Sequence, residues 1–205
     1  MSVYNGMIHW RASLMCIVDI ETTGRIAGYH EIVQIAILPV DGEFNPINEI
    51  RPFYHNMAPE FPERAEAKSM QVSGLKLDDL LMSAPDKWKM ADMLDDWFEK
   101  INLPLRKSMI PLAHNWAFES GFLKAWLGLE SFDTFFHNPP RDSMMLALSI
   151  NDMLAIRGEM APFQSCSLPN LCKQFGIPHD NAHDALADCI ATAQVYKTLL
   201  NWRIP

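Results

Sequence analysis

The sequence predicts an α/β domain, a mixed central β-sheet flanked by helices, and three observations carry that prediction. Short apolar runs of strand length recur at residues 14–18, 31–40 and 109–113. Between and after them, apolar residues return every three or four positions, the period of a helix packed on one face. The chain has 205 residues, 49% of them hydrophobic and 20% charged, which suffices for one well-buried core and excludes disorder by composition. Its 14 prolines are spread as punctuation and no repeat or linker interrupts it, so residues 1–205 are expected to form a single domain.

The elements follow in order. Leu14-Met15-Cys16-Ile17-Val18 reads as a strand buried on both faces. Residues 31–40, rich in Ile and Val after a glycine-containing turn, pair with it. Residues 49–54 form a weaker third strand. Residues 85–101 read as helix, with Trp88, Ala91, Leu94, Phe98 and Ile101 on its apolar stripe. Residues 109–113 are another short strand, leading into a helix that carries Phe118, Phe122, Leu123, Trp126 and Leu127. A short strand is expected near residues 134–136, then a helix capped by Asp142 or Ser143 and running to about Ile156. The last helix spans about residues 184–200, with Leu186, Cys189, Ile190, Ala193 and Leu200 toward the core.

Composition narrows the function. No stretch approaches the roughly 18 consecutive apolar residues of a membrane helix. The N-terminal residues lack an apolar run followed by a small-residue cleavage site, so the expectation is a cytoplasmic protein with no membrane partner. Cys16, Cys166, Cys172 and Cys189 form no CxxC pair and are expected to be free thiols. A zinc site from Cys172, His179 and His183 is disfavoured, because it lacks the tight cysteine pair that opens such sites. Seventeen Lys and Arg against 25 Asp and Glu give a net charge of −8, which argues against a simple electrostatic nucleic-acid binder. It does not exclude an enzyme acting on nucleic acid, since divalent cations held by carboxylates present the missing positive face.

Three segments concentrate acids where strands or helices end. In Asp19-Ile20-Glu21-Thr22-Thr23-Gly24 the two acids share one strand face, where like charges raise each other's pKa unless a cation lies between them. His114-Asn115-Trp116-Ala117-Phe118-Glu119 lies where an apolar strand meets a helix, and His183-Asp184-Ala185-Leu186-Ala187-Asp188 opens the last helix. Singly, each has an ordinary explanation: acids leaving a strand, Asn115 capping one helix, Asp184 capping another.

Together they resemble the DEDDh (DnaQ-like) 3′→5′ exonuclease superfamily, which has a ribonuclease H-like fold. The motif D-x-E-T-T-G is Asp19–Gly24 unchanged, the H-N-x-x-F-D motif is His114–Glu119 with Glu in the final place, and H-x-A-x-x-D is His183–Asp188. Ser73-Gly74-Leu75 and Ser167-Leu168-Pro169-Asn170-Leu171-Cys172, followed by Phe175-Gly176-Ile177-Pro178, resemble the intervening family segments.

The resemblance implies a phosphodiesterase using two divalent cations, Mg²⁺ or Mn²⁺. In that scheme Asp19 bridges both ions, Glu21 and Asp188 hold the ion carrying the attacking water, and Glu119 supports the second. His183 takes the proton from that water, and Thr22, Thr23 and Asn115 face the terminal nucleotide. Oxygen-only ligands suit Mg²⁺ or Mn²⁺, and a histidine titrating near neutrality suits a general base. The expected substrates are single-stranded DNA or RNA 3′ ends, degraded to nucleoside 5′-monophosphates. Alternatives are a nuclease for short or signalling oligonucleotides and a non-catalytic nucleic-acid-binding module that keeps the fold. A homodimer agrees with the resemblance, and a proofreading role would call for a separate polymerase partner. Glu119 departs from the pattern: its extra methylene displaces the carboxylate by about 1.5 Å unless the backbone retreats.

Overall fold

The computed structural model describes residues 13–101, 108–136 and 139–202. Its centre is β1 (Met15–Thr22), which pairs antiparallel with β2 (Ile32–Val40) on one side. On the other side β1 pairs in parallel with β4 (Ile110–Ala113). β3 (Phe53–Asn56) continues the sheet antiparallel to β2, and β5 (Arg141–Asp142) continues it parallel to β4. The five-stranded sheet therefore has the order β3-β2-β1-β4-β5, mixed as the sequence predicts.

Among the described residues, seven helices cover it. α1 (Ala67–Ser73) and α2 (Leu77–Ser83) follow a 3-10 turn at Pro62–Arg64. α3 (Lys87–Ile101) and α4 (Trp116–Phe135) pack on the face built from Cys16, Val18 and Ile20. α7 (Ala185–Leu200) packs on the opposite face, against Met15, Ile17, Ala36 and Leu112. α5 (Ser143–Ile156) and α6 (Leu168–Phe175) form a further layer over α7. Among the described residues, no helix is long and apolar enough to cross a membrane. All four cysteines are free thiols, and Cys16, Cys172 and Cys189 are buried as small hydrophobes.

The structure corrects the sequence reading in several places. β1 itself agrees with it: Asp19 and Glu21 share one strand face, in the ladder opposite Ala36 and Gln34, while the alternating Ile20 and Thr22 are buried on the other. The third strand begins only at Phe53, after Pro52, whose missing N–H cannot join a ladder. No strand forms at 134–136. Thr134 and Phe135 complete α4, Phe136 makes one bridge to Met109, and the fifth strand is Arg141–Asp142. α4 breaks at Gly128 (φ 75°, ψ 163°), just past the predicted helical stretch.

Trp88 is 72% exposed and not on the core stripe of α3, whose buried side is Met90, Leu94 and Ile101. On α7, Ile190 and Leu200 face solvent. That helix is buried on two sides, by Cys189, Ala193 and Tyr196 toward the sheet and by Ala191, Val195 and Leu199 toward α5 and α6. A single apolar stripe is the wrong template for a helix sandwiched between layers.

Candidate active site

Strand alternation fixes the first two acids. Asp19 and Glu21 lie on the same face of β1 as Met15 and Ile17, the face that α7 covers. α7 starts there because the Asp184 side chain caps it, accepting from Ala187 N–H at 3.0 Å. One turn further along, Asp188 is 92% buried and directed at the same place. Since β4 runs parallel to β1, their carboxyl ends lie side by side, and α4 begins where β4 ends. Its first turn brings in Glu119, 4% exposed.

The ligand atoms of Glu21, His183 and Asp188 lie within 4.8 Å of one another. His183 is exposed and takes a left-handed backbone conformation (φ 68°), uncommon for a residue with a side chain and typical of functional turns. Its backbone N–H donates to Asp188 Oδ2 at 3.3 Å. Asp19 joins the cluster through its charge: burial first, then the charges of Asp188, Glu119, Glu21 and Asp184, push its pKa well up. Burial followed by Asp188 and Asp184 raises Glu21 to about 8. Burial, reinforced by Asp142, raises Glu119 to about 8.

Such a cluster is unfavourable by itself. Glu119 Oε2 is buried with no hydrogen-bond partner, and four acids face one another. Converging carboxylates, one of them with an unpartnered buried oxygen, are the donor set of a hard divalent cation, and the residues present fit one, with the His183 imidazole beside them. The Cys172-based zinc alternative does not assemble: Cys172 is buried in the apolar layer between α6 and α7, and His183 turns toward the acids.

The remaining expected site residues divide. Thr22 borders a cavity of about 250 Å³ together with Glu21, Arg25, Lys68, Ser69 and Phe118. Its hydroxyl donates to Gly24 O at 2.6 Å. Thr23 is wholly buried, and its hydroxyl accepts from Glu31 N–H at 2.9 Å, so its side chain holds the turn and does not reach the cavity. Asn115 begins α4 in a left-handed conformation (φ 105°) without capping it through its side chain. The first N–H of that helix, Trp116, is taken by Asp142 Oδ2 at 2.8 Å, while Asp142 Oδ1 caps α5 through Met145 N–H. One carboxylate thus ties two helix starts together.

Three residues of the site's support escaped sequence reasoning. His179 Nε2 lies 2.6 Å from Asp188 Oδ1; its signal was only a second histidine ahead of the last motif. Gln34 sits opposite Glu21 in the ladder, accepts from Ala185 N–H at 2.8 Å and donates to Asn56. Tyr54 donates its hydroxyl to Asp184. Gln34 and Tyr54 read as ordinary strand residues, and only the crossing of β2, β3 and the start of α7 reveals the contact.

A mixed sheet whose central strand delivers two carboxylates to a third on the last helix and a fourth on α4 defines an exonuclease-type hydrolase class. The exonuclease family model matches residues 16–196, and the chain belongs to that family. Over 186 residues it is 30% identical to the PolC-type DNA polymerase III of Bacillus subtilis (strain 168), covering 89% of this chain and 11% of that protein. The fold is similar to that of a moderately thermophilic exonuclease I from Methylocaldum szegediense, with a TM-score of 0.72, 21% identity and coverage of 93% of this chain and 41% of that one. It is also similar to E. coli exonuclease I in complex with a dT13 oligonucleotide, with a TM-score of 0.67, 23% identity and coverage of 91% and 40%. The chain thus spans about a tenth of the length of the curated relatives it matches and about two fifths of these solved chains.

Proposed function

We propose that this protein is a metal-dependent 3′→5′ exonuclease acting on single-stranded nucleic-acid ends in the cytoplasm and releasing nucleoside 5′-monophosphates. The observation that carries the reading is the convergence of Glu21, His183 and Asp188 within 4.8 Å, beside Asp19 and the unpartnered Glu119, in a chain of the exonuclease family. The relative crystallised with dT13 supports a single-stranded substrate.

Asp19, Glu21, Asp188 and Glu119 would hold two Mg²⁺ or Mn²⁺ ions. When bound, such ions stabilise charge on the attacking and leaving oxygens of an in-line displacement. The chain's own residues do the rest. His183, exposed at the rim, accepts the proton of the attacking water. Thr22, Arg25 and Lys68 border the cavity beside Glu21, where the terminal nucleotide is positioned and its negative charge met.

The test is a panel of 3′-labelled single-stranded DNA, RNA and duplexes with Mn²⁺, Mg²⁺ or EDTA. Release of the label as mononucleotide, abolished by EDTA, supports the reading. Binding without turnover in every metal would return the protein to a non-catalytic module. A second reading, a nuclease for short oligonucleotides, is favoured by the net charge of −8, since long-strand enzymes gather cations along a channel. Cleavage rates from dinucleotides to about 30-mers separate the two, rising with length in the first case and falling in the second.

A further inference from the structure

We infer that His30 is a positioning residue for the substrate cavity: its buried ring fills the space denied to a side chain at Gly24 and joins the turn after Glu21 to the helix that walls the cavity. The inference rests on the proposed exonuclease activity for its kinetic readout, but not for its structural one.

His30 is 5% exposed, inside the loop that closes residues 22–31. Ile26 N–H donates to its Nδ1 at 3.0 Å, and its own N–H donates to Ile26 O at 2.8 Å. With Nδ1 accepting, the neutral ring carries its proton on Nε2. That nitrogen faces Glu66 Oε1 at 3.5 Å. Glu66 is the residue from which α1 starts, and its backbone N–H donates to Thr23 O at 2.7 Å. Ser69 and Val72 of α1 then line the cavity opposite Glu21 and Thr22. One imidazole therefore ties the turn that carries Arg25 to Glu66 at the start of α1, and both of those residues border the cavity.

Gly24 is the other half of the arrangement. Its φ is outside the left-handed region, so glycine is not needed there for backbone freedom. A Cβ at residue 24 would instead overlap Cδ2, Nε2 and Cγ of the His30 ring, which is held from behind by the edge-on ring of Tyr29 at 4.9 Å. The glycine of the D-x-E-T-T-G segment is here because the ring is.

Removing the ring should loosen the turn and α1 together while leaving the acids in place, so substrate binding suffers before chemistry does. His30→Ala should raise KM about tenfold with kcat changed less than about threefold. His30→Asn, which keeps an acceptor for Ile26 N–H, should recover part of that loss. Gly24→Ala alone should lower Tm, and Gly24→Ala/His30→Ala should lose clearly less than the sum of the two single losses, because the methyl then occupies the vacated space. Strictly additive Tm losses would show that the two residues do not share space. An equal fall in kcat at unchanged KM, in either His30 variant, would overturn the positioning role. Should His30→Ala not fold, His30→Asn and Gly24→Ala/His30→Asn give the same cycle. If the wild-type protein cleaves no oligonucleotide, the exonuclease reading fails, and the Tm cycle alone still decides the pairing of residues 24 and 30.

Discussion

His179 and Asp188 form a buried pair in which the imidazole takes one carboxylate oxygen, while the other receives the backbone N–H of His183. The acid is thereby fixed in orientation from two sides before any cation arrives, as expected of a ligand braced by its neighbours. His179→Ala frees one oxygen of Asp188. The metal concentration for half-maximal turnover should rise about 10–100-fold, with maximal turnover largely recovered at high Mn²⁺. A metal titration that superimposes on wild type would reduce His179 to a packing role.

Metal should also stabilise the fold. A ligand at about 100 times its Kd contributes roughly 2.7 kcal/mol, which for a chain of this size is on the order of 5–10 °C in Tm. Mn²⁺ added to EDTA-stripped protein should produce that shift in a thermal melt. An unchanged melting curve would speak against the site.

The same acids set a pH dependence for the metal-free protein. Glu21 and Glu119 ionise near 8 in the folded state, well above an ordinary glutamate, so the native state binds more protons than the unfolded state over the interval between. Stability with EDTA should therefore fall as pH rises from about 4.5 to about 8. Saturating Mn²⁺ should flatten that fall, because the cation takes the place of the protons. Paired Tm series across this range, with EDTA and with Mn²⁺, check both signs.

How much of this was legible in the sequence depends on the range of the interaction. β1, β2, β4 and the helices at Lys87–Ile101, Ser143–Ile156 and Ala185–Leu200 are written in local patterns and capping residues such as Asp142 and Asp184. α1, α2 and α6 are seven or eight residues long, too short for a period to declare itself. The acids of the candidate site were legible because three motifs in order resemble one family, although each alone reads as an ordinary strand end or helix start. His179, Gln34 and Tyr54 were not, since they reach the site across 9, 151 and 130 positions to Asp188, Ala185 and Asp184, and no local pattern encodes such contacts.

His183→Ala should slow turnover by roughly 10²–10⁴-fold, the usual range for a lost general base. Oligonucleotide binding in Ca²⁺ should be nearly unchanged, since the carboxylates remain. His183 is exposed, so its side chain contributes little packing, and Tm should stay within a few degrees of wild type. Normal turnover would confine His183 to a turn-forming role.

Glu119 gives the sharpest test, because it departs from the usual aspartate and the structure shows how it is housed. The side chain is buried at the first turn of α4, whose starting N–H is tied to Asp142, and its Oε2 is left without a partner. On the proposed reading that oxygen meets a cation at the length of glutamate, which requires a backbone adjusted to the longer side chain. Glu119→Asp should withdraw the carboxylate and leave a small void, lowering activity at limiting metal by up to about 10²-fold where the lost reach approaches 1 Å. Glu119→Gln keeps the size and removes the charge, so it should be slower still, and Mn²⁺ should rescue Asp better than Gln. Gln should also make the fall of the metal-free pH series shallower, since one of the two carboxyls ionising near 8 is gone. A rise in activity for Glu119→Asp would mean that the backbone has not adjusted. A Glu119→Gln protein matching wild type across Mg²⁺ concentrations would remove Glu119 from the site.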